Sequence, residues 1–292
     1  NFISRAQMLE AQAQPNTAKR HAQHVELNAP YFAEMVRQEM VRRYGEAATI
    51  SGFKVITTIV SKDQIAANAA VRDGLIEYDR RHGWRGAEKH IDLTQLDLSQ
   101  QITELKNRPY IEEMPAALVL TTNNSSAELL LSNGEIIKIG SAAAISTGKS
   151  LSSAIKAGDI VRLLGTGKTT VLAQIPKAQA ALVSLQPEDG AVRAIVGGFS
   201  FSTSKFNRAS MAKRQPGSSF KPFLYTASFD RGYSPSSIVL DAPVVFRDRK
   251  GNVWRPQSDR GGFEGPMKLR EALVQSRNLV SVRLLDGIGV KY

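Results

Sequence analysis

The chain has 292 residues, of which 42% are hydrophobic and 22% are charged, a balance typical of folded globular proteins with room for two or three domains. It has no apolar run of about 18 residues, so no transmembrane helix is predicted. It has no cysteine, which excludes disulfides, thiolate metal sites and a cysteine nucleophile. The net charge of +11 indicates either an anionic partner, such as nucleic acid, phospholipid or a lipid pyrophosphate, or a solvated basic surface.

The first third of the chain is predicted to form a small α/β region. A short helix within residues 1–14 ends at Pro15, and a run of β-branched residues predicts a strand after the second helix. The longer predicted elements are a helix over Pro30–Tyr44, a strand over Phe53–Val60 and a helix over Lys62–Tyr78. Residues 91–110 are polar and weakly patterned, and no element is predicted there.

The central part of the chain reads as a series of short strands separated by turns. Asn133-Gly134 is a strong hairpin signal, and Gly158-Asp159 marks another turn. The predicted strands are 117–120, 127–131, 135–139, 160–164 and 169–173. This pattern predicts a small β-barrel, similar to the OB fold.

The last part of the chain combines a strand pair with helices, which indicates an α/β arrangement. The strands 180–185 and 191–196 are joined by a turn at 187–190. Helices are predicted over 218–231, 269–274 and 280–285.

The pattern Ser-x-x-Lys carries chemical meaning in this last part. Residues i and i+3 share one face of a helix, where an amine can take the proton of a hydroxyl that acts as a nucleophile. The bare pattern is weak, since it occurs six times, starting at Ser51, Ser146, Ser153, Ser202, Ser210 and Ser218. Only Ser218 follows a Pro-Gly turn and precedes an apolar helix face, so Ser218 is the predicted nucleophile and Lys221 its base.

A second pattern, Ser-x-Asn, occurs once in the chain, at Ser276 and Asn278. Its hydroxyl can pass a proton and its amide can hold a peptide carbonyl. Taken alone, the two residues fit helix caps; together with Ser218 and Lys221, catalysis is the favoured interpretation.

The histidines give no competing site. All four lie at or before His90, so neighbouring sequence supplies no Ser-His-Asp triad. His21 and His24 form an i, i+3 pair without a third ligand nearby, which predicts a solvated helix face and no metal site. No cofactor is expected.

With these motifs, the chain resembles the class A penicillin-binding proteins, in the branch with an inserted OB-like domain. Segments similar to the transpeptidase domain are 174–176, 180–183, 189–198, 206–209, 212–218 and 269–273. Segments 33–37, 57–59 and 78–83 resemble the linker of that family. The resemblance implies an α/β multidomain fold: the end of a glycosyltransferase domain (1–14), a small α/β linker (15–92), an OB-like β-barrel (93–173) and the first part of a transpeptidase domain (174–292).

The resemblance also implies a function, the cross-linking of peptidoglycan by a serine D-Ala-D-Ala transpeptidase. Ser218 would attack the penultimate D-Ala, Lys221 would be the base, Ser276 would relay a proton and Asn278 would orient the acyl chain. The implied partners are peptidoglycan stem peptides, β-lactam antibiotics as covalent inhibitors, and a regulatory envelope protein. The implied location is the periplasmic side of the inner membrane, with the anchor of the parent protein outside these residues.

Two parts of the family pattern are not among the 292 residues: the third motif, Lys-Thr/Ser-Gly, and the catalytic glutamates of the glycosyltransferase. Glycosyl transfer is therefore assigned to no residue here.

A β-lactamase or β-lactam sensor would share Ser218 and Lys221, but the preceding linker and barrel argue against it. A nucleic-acid-binding barrel is disfavoured because residues 111–173 contain no Phe, Tyr or Trp for base stacking. A non-catalytic scaffold that docks a regulatory protein remains open for residues 93–173.

Overall fold

The structure is a computed structural model that describes residues 3–14, 25–247, 250–258 and 261–291. The chain divides into two compact units, Asn1–Ala212 and Lys213–Tyr292. His21 and His24 lie outside the described residues. The α-helices are α1 (Arg5–Ala13), α2 (Pro30–Tyr44), α3 (Ala47–Ile50), α4 (Ser61–Arg81), α5 (Leu98–Lys106), α6 (Leu151–Ala154), α7 (Arg208–Met211), α8 (Lys221–Asp230), α9 (Leu269–Val274) and α10 (Asn278–Ile288).

The strands are short and alternate with these helices. They are β1 (Lys89–His90), β2 (Ala116–Thr122), β3 (Ser126–Leu131), β4 (Ile136–Gly140), β5 (Asp159–Leu164), β6 (Val171–Ala173), β7 (Leu182–Leu185), β8 (Val192–Val196), β9 (Ile238–Asp241), β10 (Phe246–Arg247), β11 (Val253–Trp254) and β12 (Gly265–Lys268). Short 3₁₀ helices cover Leu93–Gln95, Ser141–Thr147, Gly167–Thr169 and Gly217–Phe220. The predicted mixed α/β class is confirmed.

Helix α4 packs one apolar stripe against the β7–β8 hairpin. Ala67, Val71 and Leu75 recur at helical spacing and are buried with Ala194 and Val196 of β8. β7 and β8 pair antiparallel, as the predicted turn at 187–190 requires. The helix predicted over Lys62–Tyr78 is thus confirmed, with one further residue at its start and three at its end.

The strand predicted over Phe53–Val60 is wrong. This segment has no regular secondary structure, although it runs beside β8. Val60 N donates to Arg193 O at 2.9 Å, and Thr58 Oγ1 donates to Val192 O at 2.7 Å. One of these two bonds comes from a side chain, so the segment touches the edge of the hairpin without joining it through a backbone ladder.

The OB-like part is a six-stranded antiparallel sheet in the order β1-β5-β2-β3-β4, with β6 also paired to β5. All five strands predicted here are present, each within two residues of its predicted ends. β2 and β3 form the central hairpin, with a register shift between Val119 and Thr121. Such an irregularity bends a strand and increases its twist, as curved sheets require.

Both faces of this sheet are covered. Side chains alternate between the faces of a strand, so Val119 and Leu129 lie in one buried cluster and Leu118 and Leu130 in another. The 3₁₀ helix Ser141–Thr147 and α6 contribute to the first cluster, and Leu105 of α5 to the second. Helix α5 was not predicted, yet Asp97 and Gln100 form a capping box at its start.

The second unit is built around α8, α9 and α10. They bury a cluster that includes Leu224, Leu269, Val280 and Leu284, together with Met267 of β12. β9 and β12 pair antiparallel, and β12 leads directly into α9. The predicted sites of chemistry all lie in this unit.

Candidate active site

Ser218 and Lys221 lie at the start of α8. Gly217 has a φ of +56°, a conformation that glycine adopts without strain, and it opens the 3₁₀ turn Gly217–Phe220. The predicted helix over 218–231 is therefore a 3₁₀ turn followed by the α-helix 221–230. In a 3₁₀ turn, residues i and i+3 eclipse one another, so Ser218 and Lys221 project from the same side. Pro222 in the first turn of α8 removes no intrahelical hydrogen bond.

The two residues differ in their exposure to water. Ser218 is exposed, where a substrate can reach it, whereas Lys221 is buried with 8% of its surface accessible. A buried lysine needs oxygen partners, because an amine without hydrogen bonds is costly to remove from water.

The oxygen partners of Lys221 come from the Ser-x-Asn segment. The Lys221 Nζ donates to the Ser276 carbonyl oxygen at 2.6 Å, to the Ser276 Oγ at 2.9 Å and to the Asn278 Oδ1 at 2.7 Å. The structure thus brings together three of the four predicted residues, although 55 residues separate Lys221 from Ser276. The Ser276 carbonyl is a partner that sequence reasoning missed, because a backbone atom leaves no signature in the sequence.

The turn between α9 and α10 positions the oxygens of Ser276 and Asn278. Ser276 N donates to Leu273 O at 3.0 Å and Arg277 N donates to Ala272 O at 2.9 Å, the two bonds of a Schellman motif that ends α9. This motif requires a left-handed residue at Ser276, whose φ is +55°. A serine in a position that glycine normally occupies is held under local strain.

The other titratable group on the buried side of α8 is a phenol. Burial raises the pKa of Tyr225 above its ordinary value of 10.0. This side chain therefore stays protonated at physiological pH.

Other features are separate from this cluster. A cleft of about 750 Å³ lies in the first unit, where Tyr31, Arg72 and Phe199 line it, and it contains none of the predicted site residues. Within the described ranges, no group of three or more His, Cys, Asp or Glu residues could hold a metal ion. Also within those ranges, no helix is long and apolar enough to cross a bilayer.

Two family models match the chain. The penicillin-binding protein OB-like domain matches residues 84–178. The penicillin-binding protein transpeptidase domain matches residues 180–292, the part that contains Ser218, Lys221, Ser276 and Asn278.

Individual proteins give the same result. The chain is 44% identical to Penicillin-binding protein 1A of Pseudomonas aeruginosa over 310 residues, which cover 99% of this chain and 37% of that protein. It is 36% identical to Penicillin-binding protein 1A of Escherichia coli, over 100% of this chain and 36% of that protein. The crystal structure of Penicillin-binding protein 1A from Haemophilus influenzae superimposes with a TM-score of 0.88 at 38% identity, over 99% of this chain and 43% of that one.

The chain therefore spans between a third and two fifths of the length of the curated relatives it matches, and within that span it carries an OB-like and a transpeptidase domain. Sequence motifs, fold and relatives agree. The chain belongs to the class A penicillin-binding proteins.

Proposed function

We propose that this protein is a serine D-Ala-D-Ala transpeptidase that cross-links peptidoglycan, with Ser218 as nucleophile and Lys221 as base. The observation that carries the proposal is the cluster of Lys221 Nζ with the oxygens of Ser276 and Asn278, all within 2.9 Å. These contacts hold the amine of a buried lysine one turn along the helix from an exposed serine, which supports a lysine base for that serine.

The reaction proceeds in two acyl transfers. In the first transfer Lys221 acts as the neutral amine, which donates two hydrogen bonds to the oxygens of Ser276 and Asn278 and keeps one lone pair. Ser218 Oγ attacks the carbonyl carbon of the penultimate D-Ala while this lone pair takes the hydroxyl proton. The C–N bond to the last D-Ala breaks, and the proton reaches the departing nitrogen through the Ser276 hydroxyl. The ester that remains on Ser218 is then attacked by an amine from a neighbouring stem peptide. The new amide bond is the cross-link; the ester C–O bond breaks, and the proton that the amine loses returns to Ser218 Oγ through Lys221.

Asn278 has a role that follows from its amide. Its Oδ1 accepts from Lys221, so its amide nitrogen is the group that can donate to a carbonyl of the bound acyl chain. β-Lactams would enter the same path, because ring opening by Ser218 gives an ester whose leaving nitrogen stays attached. That adduct has the mass of protein plus intact antibiotic.

We also propose the division of the chain into 1–14 (end of a glycosyltransferase domain), 15–92 (linker), 93–173 (OB-like domain) and 174–292 (transpeptidase domain), with β1 at the end of the linker range pairing to β5 of the OB-like sheet. The protein would act on the periplasmic side of the inner membrane on stem peptides, anchored by sequence outside these residues. The OB-like domain would dock a regulatory envelope protein and bind no nucleic acid. Its sheet has both faces covered, which supports a scaffold in preference to a stacking platform for bases.

The test is the intact mass of the full-length protein after incubation with a penicillin. Wild type should gain one antibiotic mass, and Ser218→Ala should gain none. Ser219→Ala is the matched control, since Ser219 is an exposed serine in the same 3₁₀ turn and should label like wild type. Lys221→Ala should slow labelling roughly 10²- to 10⁴-fold.

The outcomes separate the alternatives. Labelling of Ser218→Ala, or no labelling of wild type, would refute the proposal. Rapid loss of the adduct with release of hydrolysed antibiotic would identify a β-lactamase instead.

A further inference from the structure

Arg277 lies between the two residues that contact Lys221, and its side chain is directed elsewhere. Its guanidinium reaches β9, where Nε donates to Asp241 Oδ2 at 2.7 Å and Nη2 donates to the same oxygen. Nη2 also donates to Gly262 O at 3.2 Å. Arg277 is only 5% exposed and Asp241 is fully buried, so this ion pair is shielded from solvent.

Asp241 is itself fixed in a rigid element. It ends β9 and lies opposite Gly265 of β12 in the antiparallel ladder. Its Oδ2 also accepts from Glu264 N at 3.0 Å, so one oxygen receives three donors. Its Oδ1 has no hydrogen-bond partner in the described part of the chain. The position of Oδ2 therefore determines where the guanidinium lies.

The backbone of Arg277 connects two helices. Its N–H closes α9 by donating to Ala272 O at 2.9 Å, and its carbonyl accepts from Ser281 Oγ at 3.0 Å in the first turn of α10. Three consecutive residues thus alternate: Ser276 and Asn278 contact Lys221, and Arg277 contacts Asp241. A displacement of the Arg277 backbone would therefore move both of its neighbours.

We propose that Asp241 is a positioning residue that acts through Arg277 to hold Ser276 and Asn278 at hydrogen-bond distance from Lys221. The proposal rests on the function proposed above for Lys221. Because three contacts of 2.6–2.9 Å depend on one turn, a shift of about 1 Å would weaken all of them together.

A buried ion pair can also serve only to hold a fold together, so the test has to separate the two roles. The readout is the first-order rate constant for acylation by a saturating fluorescent penicillin, measured in the full-length protein. The final labelled fraction is determined in parallel by intact mass. A purely structural role lowers the labelled fraction or the melting temperature, whereas a positioning role lowers the rate constant of fully labelled protein.

Two variants disrupt the ion pair between Asp241 and Arg277. Asp241→Asn removes the carboxylate charge but leaves the guanidinium buried. The double variant Asp241→Leu with Arg277→Met removes both charges, and hydrophobic replacement of a buried pair preserves folding in other proteins. Met267→Ala is the matched control. Met267 is a buried residue of β12, so its truncation weakens the same small sheet but removes neither charge of the ion pair.

We expect both ion-pair variants to label to completion, with the rate constant for acylation lowered roughly 10- to 100-fold. Met267→Ala should stay within twofold of wild type despite a lower melting temperature. If Asp241→Asn does not fold, the double variant decides alone. A double variant within twofold of wild type, or an equal slowing by Met267→Ala, would overturn the proposal. Unlabelled wild type would instead refute the function of the site itself, before any comparison of variants.

Discussion

The left-handed conformation of Ser276 leads to a prediction about stability that separates backbone strain from side-chain chemistry. We consider two variants that both lose the hydroxyl, Ser276→Gly and Ser276→Ala. The alanine keeps a β-carbon at a φ of +55°, and the glycine does not. The Schellman bonds from Ser276 N and Arg277 N fix this φ in both variants.

The magnitude follows from two opposing effects. A left-handed conformation costs a residue with a β-carbon roughly 1–2 kcal/mol. Glycine loses more backbone freedom on folding, which costs about 0.5–1 kcal/mol relative to alanine. Ser276→Gly should therefore be more stable than Ser276→Ala by about 0.5–1 kcal/mol, the reverse of the usual order.

The assay is urea unfolding of the unit that contains Ser276. The same pair of changes at Ser228 is the control, since Ser228 is a buried residue inside α8 with helical geometry. There the glycine variant should be less stable than the alanine variant by about 1 kcal/mol. Both Ser276 variants should acylate slowly and to a similar degree, because both lack the hydroxyl that contacts Lys221.

An alanine variant at 276 as stable as the glycine variant would refute the reasoning, since it would mean that the turn relaxes out of the left-handed region. Different acylation rates in the two variants would show that the backbone, and not the hydroxyl, controls the reaction.

Three further predictions concern the first unit. Gln64→Leu should lower the free energy of unfolding by about 3 kcal/mol, because the buried amide pairs both the N–H and the C=O of Ile195 at 3.0 and 3.1 Å. Glu88→Gln should cost roughly 3 kcal/mol, since it leaves the guanidinium of Arg162, 1% exposed, without its carboxylate. Hydrogen bonds from Arg side chains lower the pKa of Glu39 to about 2, so its support of α2 is present above pH 4.5 and is lost as the pH falls from 4.5 to 2.

Each of these has a direct measurement. Chemical denaturation tests the two substitutions, and a loss below about 0.5 kcal/mol would show that water or a rearranged side chain replaces the missing partner. An NMR titration of the Glu39 carboxyl tests the third, and a midpoint at the ordinary value of 4.5 would show that the pairing with Arg42 and Arg43 does not persist in solution.

Local sequence was sufficient to predict the structure where one residue type determines the backbone angles of a turn. Pro216-Gly217 predicts a turn into a helix, and Asn133-Gly134 predicts a hairpin, because few residues adopt the required backbone angles. The pairing of Ser-x-x-Lys with Ser-x-Asn likewise predicted which distant segment meets Lys221. The signal for α5 was also present, since Asp97 and Gln100 have capping-box spacing, but the surrounding polar residues concealed it.

Long-range partners outside these two motifs could not be predicted. Nothing local distinguishes Asp241 from the other aspartates, and its pairing with Arg277 depends on how β9 and α10 pack together. The prediction of a strand over Phe53–Val60 was wrong for a different reason. Its β-branched composition is that of a strand, but a strand exists only where a partner supplies a continuous ladder, and here only isolated bonds reach β8.

The two covered faces of the OB-like sheet have a consequence for sequence variation. In a half-exposed sheet, every second residue is free to change, but in β5 and in residues 116–119 of β2 both alternating sets are buried, and β3 buries residues of both sets. Substitutions among relatives should therefore accumulate in the exposed turn near Asn124 and at the exposed Ile136 of β4. A domain of this kind can acquire new binding specificities through its loops and its edge, while its strands remain nearly fixed.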